Sequence, residues 1–282
     1  MKLIDCHTHT QYSVDSDADI NLMIERACML DLSAYAITDH CECNRWYPEE
    51  YYKNADTYRY FDFGTDLEKS VTAVTKLKEK YCNKLNLLCG IEMGQATQEN
   101  DIAEKIVSDK RLDFVIGSIH QVPNTEDFAL IDYNTMNTND LHNLAETYMQ
   151  EIYKLCKWGK MDVLGHLTYF LRYFHRHLSK EFDISCFDEI VEASFRELIT
   201  KGKGIEINTS GLRNVNFKET YPSIKYVKMF RELGGEIITV GSDAHTVEDL
   251  GSGVADGIKL AEEAGFKYIA YFKERKPNFI KI

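Results

Sequence analysis

Short apolar runs and amphipathic stretches alternate along almost the whole chain. Strand-like runs fall near residues 2–5, 34–38, 86–92, 113–117, 162–165, 204–208 and 237–241. Helical patterns lie between them near 19–31, 65–82, 99–109, 139–158, 185–202 and 222–234, followed by another near 254–264 and a last apolar run, YIAYF, at 268–272. This alternation predicts parallel strands joined by crossover helices. Seven or eight such units in 282 residues, with no G-x-G-x-x-G or Walker loop, favour a closed barrel over an open doubly wound sheet. There is no solenoid repeat and no Pro- or Ser-rich linker, so residues 1–282 read as one domain.

The residues that follow the strands carry the chemistry. Six of the nine histidines sit just past a strand-like run: His7 and His9, then His40, His120, His166 and His245. Glu92 ends the run NLLCGI, and Asp39 and Asp243 precede histidines directly or by one residue. In a parallel barrel all strands point their C-terminal ends at one face, so these positions converge although they are far apart in sequence. Imidazole nitrogens together with carboxylate oxygens are ligands for zinc, manganese or iron. His7 and His9, at i and i+2 on a strand end, share a face, and two buried imidazoles there need partners. A carboxylate as deep in an apolar run as Glu92 must likewise be paired or metal-bound. His142, inside LHNLAETYM, reads as an ordinary helix residue, and Asp19 as the N-cap of the helix beginning at Ile20.

Composition narrows the class. The net charge of −12, from 33 basic and 45 acidic residues, disfavours nonspecific binding to nucleic acid. No apolar stretch approaches a membrane span, and the chain enters its first strand with no signal-peptide core, so a cytoplasmic enzyme is expected. The eight cysteines form no C-x-x-C unit and read as reduced, buried hydrophobes, the close pair Cys41 and Cys43 included. Two long loops are candidate lids: the aromatic stretch from Cys41 to about Gly64, holding Trp46, Tyr47, Tyr51, Tyr52, Tyr58, Tyr60, Phe61 and Phe63, and the segment after His166 with Arg172, His175, Arg176 and His177.

The set His7-Thr8-His9, Asp39-His40, Gly90-Ile91-Glu92, Ser118-Ile119-His120, Gly165-His166 and Ser242-Asp243-Ala244-His245 resembles that of the PHP (polymerase and histidinol phosphatase) superfamily, in order and over nearly the whole chain. Within it, Asn208-Thr209-Ser210-Gly211-Leu212-Arg213 after the sixth strand resembles the histidinol-phosphate phosphatases. The resemblance implies an α/β fold, a distorted (β/α)7 TIM-like barrel with two or three divalent metal ions at the C-terminal ends of the strands. Carried over by position, it has His7, His9 and Asp243 holding a first metal, with Glu92 bridging to a second held by His120 and His166. His40 and His245 take the third. Where many relatives have a histidine in the first loop, this chain reads Tyr12-Ser13-Val14-Asp15-Ser16-Asp17, so Asp15 is the expected substitute, ahead of Asp17.

The implied reaction is hydrolysis of a small phosphate monoester, L-histidinol phosphate, with Asp243 or His245 assisting proton transfer beside Glu92. A guanidinium fork suits the phosphoryl oxygens, which makes Arg213 and Arg172 the first candidates, with Arg45 and His175 behind them. The alternatives are another phosphoesterase of the superfamily, acting on nucleic acid or phosphotyrosine, and a barrel that keeps metals without catalysis.

Overall fold

The computed structural model describes residues 2–46, 63–177, 182–215 and 217–282. The aromatic positions from Tyr47 to Phe61 lie outside the described residues, as do the side chains of Arg45, Trp46, Phe63, His175, Arg176 and His177.

Seven parallel strands run in the order β1 (Ile4–Asp5), β2 (Ala34–Ile37), β4 (Leu87–Gly94), β5 (Phe114–Ser118), β6 (Val163–Leu164), β7 (Gly204–Asn208) and β8 (Ile238–Gly241). A short β3 (His40–Glu42) resumes the line of β2 and also pairs with β4, placing His40 opposite Glu92. β8 returns to the first strand: Cys6 N–H donates to the Val240 carbonyl at 3.0 Å and Asp243 N–H to His7 at 2.8 Å, with a parallel bridge between Thr8 and Ala244. The ring is thereby nearly closed, as the alternation predicts. Crossovers are made by α1 (Ile20–Met29), α2 (Phe63–Tyr81), α3 (Asn100–Val107), α4 (Thr138–Trp158), α5 (Leu171–His177), α6 (Asp188–Thr200), α7 (Ile224–Glu232) and α8 (Val254–Glu263). Asp19 caps α1 as expected, accepting from the amides of Asn21 and Leu22. α4 opens on a reciprocal Asn137–Asp140 capping box and ends at Gly159 with φ +64°.

The strands of the ring are buried end to end, the pattern of a parallel sheet covered on both faces. The final apolar run is not an eighth barrel strand. It forms β9 (Tyr268–Lys273), which pairs antiparallel with β10 (Lys276–Lys281). This hairpin meets the N-terminal ends of the strands: Phe272 stacks on Phe114, and the amides of Glu274 and Arg275 donate to Asp113. Both turn residues have positive φ, 51° and 60°, a conformation that favours Gly or Asn. The side chain of Arg275 offsets that cost, donating from Nε to the buried Asp162 at 2.5 Å and from Nη2 to the Lys160 carbonyl at 2.7 Å.

Arg275→Ala should therefore lower stability by about 2 kcal/mol, because Asp162 would keep Lys203 at 3.5 Å but lose its closest charge partner. A urea midpoint equal to that of the unmodified protein would show that the hairpin adds nothing to the barrel.

Candidate metal centre

The strand ends bring together all nine residues expected to bind metal. His7 and His9 leave β1 on one face, and their Nε2 atoms stand 3.1 Å apart. Glu92 lies within β4 rather than past its end, since pairing with β5 continues to Gly94. Its two oxygens face different histidines. Oε2 is 3.1 Å from His7 Nε2 and 3.4 Å from His9 Nε2, whereas Oε1 is 3.0 Å from His120 Nε2 and 2.6 Å from His166 Nε2. Asp243 Oδ1 lies 3.3 Å from His9 Nε2 and 3.7 Å from His7 Nε2. Asp15, in the loop after β1, reaches His245 Nε2 at 3.1 Å and His40 Nε2 at 3.5 Å.

Among the described residues, three sets of ligand-type atoms are mutually close: His7, His9 and Asp243; His40, Glu92 and His120; and His9, His40 and His245. The last two cut across the grouping drawn from the sequence. His40 stands between the groups, with Nδ1 3.1 Å from Glu92 Oε2 and its ring stacked on His9 at 4.2 Å. No cysteine joins these sets, and Cys41 and Cys43 are buried free thiols.

Two carboxylates that the sequence reading missed hold the outer sides of the imidazoles. Glu206 accepts from His7 Nδ1 at 2.7 Å and from the His166 amide, and Glu42 accepts from His120 Nδ1 at 2.9 Å. Ser13 Oγ, itself donating to Asp39, sits 3.1 Å from His9 Nδ1, and the Asp243 carbonyl accepts from His245 Nδ1. These contacts fix the tautomer and turn each Nε2 lone pair inward, the usual orientation of metal-binding imidazoles. Glu206 could have been suspected in GIEIN by the argument used for Glu92. Glu42 stands at i+2 from His40, the spacing that marked His7 and His9.

Backbone geometry is part of the site. Asp243 has φ +54° and Gln95 φ +53°, both in the left-handed region that is costly for these residues. Gln95 is fixed by donating to Glu42 and accepting from the His120 amide. Asp243 is fixed by Arg213, whose Nη1 and Nη2 donate to the Ser242 and Asp243 carbonyls at 2.8 and 3.1 Å. Asp5 completes the clasp by accepting from Ser242. A Cβ at Gly241 would come within 2.3 Å of His7 Cβ and 2.7 Å of Glu206 Oε1, so this strand end admits only glycine.

The guanidinium expected to read phosphate, that of Arg213, is thus held on main-chain carbonyls. Arg172 is placed differently: Nη2 donates to Ser210 Oγ at 2.8 Å and lies 3.6 Å from Asp243 Oδ2, over the rings of Tyr169 and Tyr221. It lines one cleft with Asp15, His40 and His120. Ser210 passes the contact to Asn208, which leads back to Glu206.

Charge tests the fit to metal. Asp15, Glu42, Glu92, Glu206 and Asp243 are packed among imidazoles, and with protons alone the cluster must split its histidines. Burial would lower His120, but Glu42 and Glu92 push it up to about 10, whereas burial and the neighbouring His245 and His40 bring His9 down to about 3. Burial would raise Glu92, yet His7, His120 and His40 hold it well below the usual carboxylate range. Inward lone pairs on His7 and His9 at 3.1 Å repel one another unless a proton or a cation lies between them. The donor set suits borderline divalent ions.

If Glu206 orients His7 for an ion, Glu206→Gln should weaken zinc binding about 10- to 100-fold in competition with a chromogenic chelator, with the fold retained. Equal affinity would make Glu206 a packing partner only.

The PHP domain model matches residues 5–210. The chain is similar to the histidinol-phosphatase of Lactococcus lactis subsp. lactis, 24% identical over 98% of this chain and 96% of that one. It is also similar to a Thermotoga maritima protein named "Probable histidinol-phosphatase", 27% identical over 95% of each. In fold it resembles the crystal structure of the Lactococcus lactis histidinol phosphate phosphatase complexed with zinc, L-histidinol and phosphate, with TM-score 0.78, 23% identity, and coverage of 98% of this chain and 99% of that one. With the family model spanning most of its length and the histidine and carboxylate cluster at the mouth of the barrel, the chain belongs to the PHP domain family.

Proposed function

We propose that this protein is a metal-dependent phosphatase that hydrolyses L-histidinol phosphate to L-histidinol and inorganic phosphate. The observation that carries the reading is Glu92, set with one oxygen on each of two inward-facing histidine pairs, beside a cleft that Arg172 enters. Relatives named for this activity align over nearly the full chain, and the Lactococcus structure holds zinc, histidinol and phosphate together.

His7, His9 and Asp243 would hold one ion, His120 and His166 a second, with Glu92 between them, and His40, His245 and Asp15 a third. Bound ions would supply fixed positive charge to the phosphoryl oxygens and make water acidic enough to attack at neutral pH. Zinc is the first candidate, and manganese and iron also suit these mixed nitrogen and oxygen donors. The protein's own part is to bind and orient. Arg172, stacked between Tyr169 and Tyr221 and tied to Ser210, presents guanidinium N–H groups to the phosphoryl oxygens. Burial opposes its charge, but the nearby Asp243 raises its pKa, so it stays cationic. Asp243 lies between Arg172 and His245. With both ring nitrogens of His245 engaged by the Asp243 carbonyl and by Asp15, Asp243 and His245 would assist proton transfer by orienting a water that protonates the leaving alkoxide. Arg213 acts indirectly, holding the left-handed turn that aims Asp243.

The reading is tested with a panel of substrates on protein of measured metal content. Chelated protein should lose hydrolysis of histidinol phosphate and regain it with zinc, manganese or iron(II), and should prefer this monoester to a phosphodiester and to phosphotyrosine. Full activity after exhaustive metal removal would overturn it.

Arg172→Ala should cost roughly 2–4 kcal/mol in transition-state stabilisation, about 30- to 1000-fold in kcat/KM, at unchanged metal content. Arg213→Ala should instead disturb the first ion's ligand Asp243 and lower metal content along with turnover. Wild-type kinetics for Arg172→Ala would return the phosphate-reading role to another cation.

A further inference from the structure

The connection from β7 into the turn Ser210–Arg213 carries a line of hydrogen bonds that runs in one direction. At one end is the Arg172 guanidinium, which can only donate, and its Nη2 gives to Ser210 Oγ at 2.8 Å. Ser210 has a single hydroxyl proton, which it donates to Asn208 Oδ1 at 2.6 Å. The same Oδ1 accepts from the Ser210 amide at 3.0 Å. Asn208 Nδ2 donates to Glu206 Oε2 at 3.4 Å, and Glu206 Oε1 accepts from His7 Nδ1 at 2.7 Å. With a donor-only guanidinium at one end and an accepting carboxylate at the other, one assignment of the serine proton and the asparagine amide satisfies every member. The middle of the line is rigid. Glu206, Asn208 and Ser210 are all buried, and Asn208 is bonded through both its backbone N–H and its C=O to Tyr221, each at 2.9 Å. Arg172 Nη2 has a competing acceptor in Asp243 Oδ2, 3.6 Å away, and the inward lone pair of Ser210 draws it off that carboxylate.

We propose that Ser210 is a positioning residue for Arg172, held in turn by Asn208, so that the Glu206 carboxylate that orients His7 also sets where the guanidinium meets the phosphoryl group. The inference rests on the phosphatase reading above and deepens it. An arginine side chain has many rotamers, and one left free would lose that freedom each time a substrate bound. A fixed acceptor behind the guanidinium settles its direction before the ester arrives, which is worth rate when the bound geometry must be close to the reacting one. The line thereby ties the cation that follows β6 and the histidine that follows β1 to one carboxylate on β7.

The test is a double-mutant cycle of Ser210→Ala and Arg172→Ala, read as kcat/KM on histidinol phosphate and as inhibition by inorganic phosphate, with zinc content assayed in every protein. Ser210→Ala alone should lower kcat/KM about 10- to 100-fold and weaken phosphate inhibition in parallel. Zinc content should stay the same, because the Asp243 oxygen near Arg172 is Oδ2, whereas Oδ1 faces His7 and His9. In the Arg172→Ala background the same substitution should cost less than about 3-fold, since the hydroxyl then has no guanidinium to hold. A merely structural serine would cost the same in both backgrounds. Equal losses, no loss in either background, or a fall in zinc content with Ser210→Ala overturns the proposal. Should the alanine variant not fold, Ser210→Cys fills similar space with a weaker acceptor, and its loss should likewise vanish without Arg172. A loss that persists there overturns the proposal as well. An unmodified enzyme that hydrolyses no phosphate monoester would refute the phosphatase reading itself, a result distinct from the failure of Ser210.

Discussion

Everything at the mouth of this barrel is arranged around one buried carboxylate. Glu92 is 1% exposed in the middle of the sheet, and it is surrounded by His7, His9, His40, His120 and His166. Removing a carboxylate from water costs several kcal/mol unless charge and hydrogen bonds repay it. Imidazoles can do so only by becoming protonated, and burial opposes that on His7, His9, His40 and His120. A site of this composition is therefore poorly served by protons and well served by divalent cations, which carry the needed charge without having to be taken from side chains. The barrel makes the arrangement possible because parallel strands deliver residues from distant parts of the chain to one face.

An outer ring of contacts supports the inner one. Glu206, Glu42 and Ser13 hold the far nitrogens of His7, His120 and His9, while Asp39 and Asp5 hold the loops from which the ligands project. The positive-φ residues Gln95 and Asp243 belong to the same construction: each is strained, and each is tied down by side chains whose alternative would be solvent. Strain of this kind persists where the surroundings over-determine the conformation. At the opposite end of the barrel the same device is used for stability, with Arg275 in a left-handed turn gripping Asp162.

The sequence made the ring of ligands legible because a one-dimensional rule, polar residue after apolar run, maps onto a three-dimensional one in a parallel barrel. His7, His9, His40, His120, His166, Asp243 and His245 all obey it. Glu206 did not stand out because it falls in the middle of the run GIEIN rather than after an unbroken apolar stretch like the one before Glu92, and a single carboxylate there resembles an ordinary outward-facing position. The two arginines show where such reasoning ends. Arg172 and Arg213 both follow strands and both could reach the same face, but the direction of a guanidinium depends on which carbonyls and hydroxyls surround it. Arg213 meets the carbonyls of Ser242 and Asp243, and Arg172 meets a serine hydroxyl at the cleft. The terminal hairpin was half legible: YIAYF reads as a last apolar run beyond the seven strands, but Lys276–Lys281 alternates too weakly to announce an antiparallel partner.

The two ends of the barrel solve the same electrostatic problem in opposite ways. At the N-terminal end, the buried acids Asp113 and Asp162 are met by Lys78, Lys203 and Arg275, cations supplied by the chain itself. At the C-terminal end, the carboxylates are met mainly by imidazoles, whose charge is conditional on pH and on neighbours. A protein selected for stability alone would place arginine or lysine beside Glu92 and Asp243, or replace the cluster by apolar side chains of similar volume. Retaining conditional partners keeps positions open for cations that arrive from solution and can share their charge with a ligand. The separation follows from the fold: loops that carry the chemistry rise from one end of the strands, and the other end is free to be neutralised permanently.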